Sequence, residues 1–193
     1  MTADARTDKR DLRRRIRQQR AGLSIAERGS ADAAIARQAS GLITRAGARV
    51  IACYLSGPAE PPTRALLSWA SAHGVRVLLP ISRPNGVLDW GEHTADERMN
   101  DLGVPETTSP PLGPRALRTA EIVFAPAAAA DLAGHRLGWG GGYYDRALAR
   151  AGSRAPVYAV LYDLDVVAHV PHEHHDVPIS GVVTPTRTLS FPR

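Results

Sequence analysis

Cysteine is nearly absent: Cys53 is the single one in 193 residues. No intrachain disulfide can form, which excludes a disulfide-stapled scaffold and fits a reducing cytoplasm. Cys53 lies in the apolar run Val50–Leu55 with no His or Lys close by in sequence. It therefore reads as a buried structural thiol rather than a nucleophile. Long apolar runs are absent too. No window of about 18 apolar residues occurs, so no transmembrane helix is expected. The N-terminus lacks the apolar stretch of a secretory signal. Its Arg-rich character suits an organelle transit peptide, but Asp4, Asp8 and Asp11 count against one. The expectation is a cytoplasmic protein with no membrane partner.

The formal net charge is +5, and its location matters more than its size. Residues 1–20 hold eight Lys/Arg against three Asp, so the remaining chain sums to zero. A nucleic-acid-binding domain usually spreads basic residues over a face of its fold. An excess confined to one leading segment suits a local anion site or a solvated helix better. Apolar residues make up 44% and charged residues 22%, enough to build a core and too little charge for a disordered polyelectrolyte. With no internal repeat and no linker, residues 1–193 read as a single domain.

Periodicity predicts a basic helix over about 8–21, with Leu12, Ile16 and Leu23 at helical spacing. Ser24-Ile25-Ala26-Glu27 is a capping-box pattern opening a second helix to about Ala46. Strand Arg49–Leu55, a helix over 62–73 and strand Val75–Leu79 closed by Pro80 then form a βαβ unit, which implies parallel strands. Residues 81–118 are less regular, with a short strand at Val87–Trp90 and a loop at Pro105–Pro114. Further strands are predicted at Glu121–Ala125, Pro156–Tyr162 and Gly181–Thr184, and a helix at Gly142–Ala151.

The chemistry concentrates in residues 121–150. An apolar strand leads to Asp131, then to Arg136-Leu137-Gly138-Trp139-Gly140-Gly141-Gly142-Tyr143-Tyr144-Asp145, and a helix follows. Strand, glycine loop and helix N-terminus together make an anion site, because glycine lets backbone N–H groups approach phosphate oxygens. Arg136 suits bidentate phosphate binding, and Asp145 suits a Mg²⁺ that bridges phosphates. The Lys and Ser/Thr of a Walker A loop are missing, and Tyr143 stands where a dinucleotide fingerprint needs glycine. A glycine cluster alone fits a tight structural turn equally well. The flanking Arg, Tyr-Tyr and Asp make the string specific.

The complete string Arg136–Asp145 resembles the signature of the 5-formyltetrahydrofolate cyclo-ligases, also called methenyltetrahydrofolate synthetases. Other features stand in the family's order. They are Lys9-Arg10-Asp11-Leu12-Arg13, Glu60-Pro61-Pro62-Thr63, Leu79-Pro80, Asp131 and Pro171-His172-Glu173-His174-His175-Asp176. The resemblance covers nearly the whole chain. Departures occur at Val104-Pro105-Glu106-Thr107, Ala130 and Pro61.

The resemblance implies a three-layer α/β sandwich with a mainly parallel sheet, similar to sugar-phosphate isomerases and CoA transferases. It implies a ligase of one-carbon metabolism that uses ATP and Mg²⁺ to cyclise 5-formyltetrahydrofolate to 5,10-methenyltetrahydrofolate. The folate would carry a polyglutamate tail or lack one. By resemblance, Lys9, Arg10, Arg13, Arg136, Leu137, Gly138, Trp139, Gly140, Gly141, Gly142, Tyr143 and Tyr144 bind ATP. Leu55, Glu60 and the Trp139–Tyr143 stretch line the folate pocket. Asp145 and Asp176 hold Mg²⁺, and Arg136 and Asp145 are catalytic.

Bland readings stand beside these. Arg14, Arg15 and Arg17 read as a solvated basic face. The run His172–Asp176 is not a zinc H-E-x-x-H motif, and Pro171 and Pro178 argue against a helix there. In an extended segment His172 and His174 share a face, which suits weak metal capture. Two rival functions remain: another nucleotide enzyme such as a small-molecule kinase, and a binding module docking its basic helix on nucleic acid or an acidic partner.

Overall fold

The computed structural model describes residues 3–191 except 102, 152–154 and 174–175. His174 and His175 of the histidine run therefore lie outside the described residues. Helices α1 (Ala3–Ala21) and α2 (Ile25–Ala46) come first. The predicted capping box is formed: Ser24 Oγ accepts from Glu27 N–H, while Glu27 accepts from Ser24 N–H. Gly47 ends α2 in the left-handed region at φ 63, a conformation that favours glycine.

The strands follow as β1 (Val50–Ala52), β2 (Arg76–Arg83), β3 (Val87–Glu92), β4 (Glu97–Met99), β5 (Pro105–Thr107) and β6 (Ile122–Pro126). Then come β7 (Ala129–Ala130), β8 (Arg136–Leu137), β9 (Val157–Val160), β10 (Gly181–Val183) and β11 (Thr188–Ser190). Helix α3 (Arg64–Ala72) joins β1 to β2, and α4 (Tyr143–Ala151) precedes β9. Seven strands form one sheet in the order β11-β10-β9-β6-β1-β2-β3. The inner pairings are parallel, while β3 and β11 pair antiparallel at the two edges.

The parallel centre follows from its sequence. Strands covered on both faces must be apolar on both faces, and β6 and β9 are. One face packs on α2 and α3 through Ile35, Ile43, Leu66, Leu67, Phe124 and Val160. The other packs on α4 and a 3-10 turn at Pro114–Thr119 through Trp90, Leu117, Val123 and Leu148. The result is three layers. Helix α1 docks separately, setting Leu12 and Ile16 against Ala128, Leu137 and Val170.

Three expectations need correction. Pro80 does not close its strand, because β2 runs on to Arg83 and pairs Pro80 with Trp90. Strand β1 pairs with β2 only as far as Leu78, so a proline two residues further sits where one side of the ladder has ended. The Pro-rich stretch begins with a strand, β5, paired to β4. Strands β4, β7, β8 and β11 have no counterpart among the predicted elements. Among the described residues no helix is long and apolar enough to cross a membrane.

Candidate active site

The C-terminal ends of parallel strands are where open α/β sheets place their ligand crevices. The chain leaving β1 carries Tyr54, Leu55 and Glu60 there, and β6 ends at Pro126 nearby. The hairpin of β7 and β8 then delivers Arg136 into the glycine loop. Gly140 (φ 106) and Gly142 (φ 64) hold backbone conformations that side chains disfavour, so these two glycines shape the loop. Arg13 braces it from α1, donating from Nε to Gly138 O at 2.8 Å.

Two cavities meet at this loop. The first, about 560 Å³, is lined by Arg6, Lys9, Arg13, Arg136 and Arg146, with the acids Asp145, Glu173 and Asp176. Lys9 Nζ donates to Asp176 Oδ2 at 2.8 Å and to Glu173 Oε2 at 3.2 Å. Arg136 Nη2 donates to Asp145 Oδ1 at 2.5 Å. Burial lowers the pKa of Arg13, the charge of Arg17 lowers it further, and Asp176 opposes both. Such crowding of cations favours a polyanion. The Arg136 Nε–H is buried and meets no protein acceptor, an orphaned charged donor beside the cavity.

The second cavity, about 170 Å³, is lined by Tyr54, Leu55, Glu60, Trp139, Tyr143 and Tyr144 among others. It shares Arg136, Gly138, Gly142 and Asp145 with the first. Aromatic walls with a carboxylate suit a flat, N–H-rich heterocycle. Burial raises the pKa of Glu60, against the Gly57 N–H that it accepts at 2.9 Å and the charge of Arg20. The Trp139 indole N–H lies toward Glu60 but meets no acceptor in hydrogen-bond geometry. The Tyr144 hydroxyl is likewise enclosed without a partner. Its pKa is well above 10 through burial, with Cys53 and Glu60 adding and Arg136 opposing, so it stays protonated. Cys53 is fully buried and its thiol is pushed up to about 12, an inert group.

The residues singled out in the sequence thus divide. Lys9, Arg13, Leu137, Gly140 and Asp176 face the first cavity, and Arg136, Gly138, Gly142 and Asp145 line both. Leu55, Glu60, Trp139, Gly141, Tyr143 and Tyr144 face the second. Trp139, Tyr143 and Tyr144 therefore stand on the aromatic side of the loop. Arg10 lines neither; its side chain is 73% exposed and lies beside Asp11. Arg14 is also exposed and pairs with Asp11. Arg17 does not sit in solvent alone, because its guanidinium stacks 5.2 Å from the Trp139 ring centroid.

Two buried side chains beside the site escaped the sequence reading. Arg20 is buried, donates to Asp165 Oδ2 at 2.8 Å and to the Ala127 and Ala128 carbonyls, and stacks on Trp139. Its only signal was the four-residue step Leu12, Ile16, Arg20 on one helical face. Glu106 is buried on β5 and lines the second cavity. It accepts from Ser82 N–H at 2.6 Å and Asn100 Nδ2 at 2.8 Å.

Among the described residues no group of three or more His, Cys, Asp or Glu is gathered for a metal. Asp145 and Asp176 nonetheless line one cavity. Mg²⁺ is usually held by one or two carboxylates plus substrate phosphates rather than by an all-protein cage. This donor set fits an ion that arrives with a nucleotide.

Comparison with known proteins gives a consistent result. The model of the 5-formyltetrahydrofolate cyclo-ligase family matches residues 5–185. A 5-formyltetrahydrofolate cyclo-ligase of Mycolicibacterium smegmatis is 34% identical over 187 residues, covering 94% of this chain and 95% of that protein. One from Haemophilus influenzae is 32% identical over 184 residues, covering 92% and 98%. The solved 5,10-methenyltetrahydrofolate synthetase of Aquifex aeolicus shares the fold, with TM-score 0.79 and 23% identity over 96% of this chain and 93% of that one.

Proposed function

The chain belongs to the 5-formyltetrahydrofolate cyclo-ligase family, and from that premise we propose that it converts 5-formyltetrahydrofolate and MgATP to 5,10-methenyltetrahydrofolate, ADP and phosphate. The observation that carries this reading is the meeting of a cationic cavity and an aromatic one at Arg136 and Asp145. The reaction needs two substrates, one polyanionic and one flat and heterocyclic, with their reacting atoms adjacent.

A formyl group on nitrogen is amide-like and a poor electrophile. Its oxygen attacks the γ-phosphorus of ATP, the bond to the β-phosphate oxygen breaks, and ADP leaves. The phosphorylated oxygen is then a leaving group. N10 attacks the former formyl carbon, closes the ring and loses its proton, and phosphate departs. No protein nucleophile enters the balance.

In this reading Lys9, Arg13 and the loop amides hold the phosphates. Arg136 turns its unpartnered Nε–H toward the transferring phosphoryl group, where a fixed donor is worth most. Leu55, Glu60, Trp139 and Tyr143 seat the folate, and the enclosed Trp139 N–H and Tyr144 O–H provide two donors for its polar edge. Asp145 and Asp176 would hold Mg²⁺, which neutralises phosphate charge when bound. The folate tail, with or without polyglutamate, extends from the second cavity, and the setting is the cytoplasm.

Purified protein mixed with 5-formyltetrahydrofolate and Mg²⁺ tests the proposal. Near-ultraviolet absorbance of the methenyl product should rise only with ATP, matched by ADP release. No rise, with an established cyclo-ligase working alongside, overturns it.

A further inference from the structure

Arg146 follows the signature string directly, and none of the roles above employs it. It stands in the first turn of α4, where side chains lean back toward the helix N-terminus. Its guanidinium thereby reaches over the glycine loop to a distant hairpin. Nη2 donates to Gly141 O at 2.6 Å, and Nε donates to Gly86 O at 2.9 Å. The group also stacks 5.5 Å from the Tyr143 ring centroid. Gly86 lies in the turn between β2 and β3, whose Ser82 and Leu88 line the second cavity. Arg146 itself lines the first. One side chain thus ties the wall of one cavity to the loop that divides the two.

Glycines make room for it. A Cβ at Gly86 would fall 1.9 Å from Arg146 Nη2, and one at Gly142 would fall 2.7 Å from Nη1. Both residues also have positive φ, 72 and 64. A side chain at either position would strain the backbone and unseat the guanidinium. Arg146 is exposed, yet it is not like the solvated arginines of α1. It has a shaped seat, two charge-assisted bonds to carbonyls and an aromatic floor.

Resting on the cyclo-ligase reading, we propose that Arg146 is a positioning residue, a clamp that holds the β2–β3 hairpin against the glycine loop and so sets the spacing between the nucleotide and folate cavities. It acts through Gly141 and Gly86. Phosphoryl transfer from one cavity to an oxygen in the other depends on that spacing. A misplacement near 1 Å costs on the order of a hundredfold in rate. Each substrate bound alone tolerates a looser wall, whereas their reaction does not.

The test uses Arg146→Met, Arg146→Lys, Gly86→Ala and the Arg146→Met/Gly86→Ala double variant, with folding checked by circular dichroism. Gly86→Ala unseats the guanidinium without changing its charge. Arg146→Lys keeps the charge but offers one ammonium in place of a planar fork. The expected result is a kcat lower by on the order of a hundredfold in each single variant. Binding of ATP or folate alone to Gly86→Ala, read by tryptophan fluorescence, stays close to wild type. The double variant is no slower than Arg146→Met. Amide hydrogen exchange in Val87–Glu92, measured without substrates, speeds up in Arg146→Met.

Full turnover in Arg146→Lys, additive losses in the double variant, or unchanged exchange in the hairpin would each overturn the clamp. Should Gly86→Ala fail to fold, Arg146→Lys and the exchange measurement decide. A wild-type protein that makes no methenyl product overturns the cyclo-ligase reading instead, and hydrogen exchange still tests the clamp.

Discussion

Arg136 and Asp145 form an ion pair at 2.5 Å at the junction of the two cavities, with the Arg136 side chain buried and its Nε–H unpaired. The pair neutralises the cation's charge and leaves a donor in reserve. Arg136→Ala is expected to lower kcat by about a hundred- to a thousandfold, the scale for removing a preorganised donor from a developing anion. Arg136→Lys should rescue little, because an ammonium cannot donate to both the carboxylate and a phosphoryl oxygen in one plane. Steady-state rates from the methenyl absorbance, with melting curves to exclude unfolding, check this. A near-wild-type rate for either variant removes Arg136 from the chemistry.

Asp176 Oδ2 accepts from Lys9 Nζ and from the Glu173 N–H, both at 2.8 Å. A phosphate that draws Lys9 away would release carboxylate capacity for Mg²⁺ at the same moment. Asp176→Asn is therefore expected to raise the Mg²⁺ concentration needed for half-maximal rate. The shift should be at least the roughly ten- to hundredfold that losing an outer-shell partner costs a metal site. Titrating Mg²⁺ at saturating ATP measures it, and an unchanged midpoint would take Asp176 out of the metal site.

The parts of this site that were legible in the sequence were those written in one short string. Gly138–Gly142 with Arg136 and Asp145 announce an anion loop because their chemistry is local. The parallel strands were legible for a related reason: β1, β6 and β9 are buried on both faces and read as apolar runs. Arg20 was only faintly legible. Its place on the Leu12 and Ile16 face sets it apart from Arg14, Arg15 and Arg17, but its partners, Asp165 across 145 positions and the Ala127 and Ala128 carbonyls, are remote in sequence. Glu106 was hidden for another reason. Its three-residue strand starts at a proline and is stabilised by β4 rather than by its own propensity. The resemblance gave Trp139 and Tyr143 to both the nucleotide and the folate, and Tyr144 to the nucleotide alone, whereas all three line the second cavity. A loop with two left-handed glycines turns neighbouring side chains into different cavities, which spacing alone does not reveal.

Asp131 anchors the segment that carries Glu173 and Asp176. Its Oδ1 accepts from Ala133 and His135 N–H at 3.0 Å, and its Oδ2 accepts from Val170 N–H at 2.9 Å. The His135 ring lies at 3.0 Å from Oδ2 and stacks on His172. Burial raises the Asp131 pKa, but the bonds from Val170 and His135 outweigh it and leave the group below its ordinary value. The stability it contributes is present above the unfolded-state pKa and is lost as pH falls through the folded one. Asp131→Ala should cost about 2–4 kcal/mol at neutral pH by stranding buried donors. It should cost less in acid. Urea denaturation at several pH values measures both, and a cost that is independent of pH would mean that the carboxylate charge is not the anchor.

Glu60 runs the other way. Burial holds its folded pKa above the ordinary carboxylate value. A raised folded pKa means that the native protein binds the proton more tightly than the unfolded chain does. The contribution is therefore favourable below the unfolded pKa and is lost as pH rises through the folded one. Above its folded pKa the ionised carboxylate is a burden on the fold, kept for what it binds. Glu60→Gln removes that burden while retaining an oxygen for the Gly57 N–H. The variant should melt higher than wild type at pH 8, with the gain shrinking toward pH 4. Its affinity for 5-formyltetrahydrofolate should fall by about tenfold or more, since a bond to a charged partner is worth roughly 1.5–3 kcal/mol. Paired melting curves across that pH range, with folate titration by tryptophan fluorescence, separate the two effects. A variant less stable than wild type at pH 8 would show that Glu60 holds the fold, and unchanged folate affinity would show that it does not read the ligand.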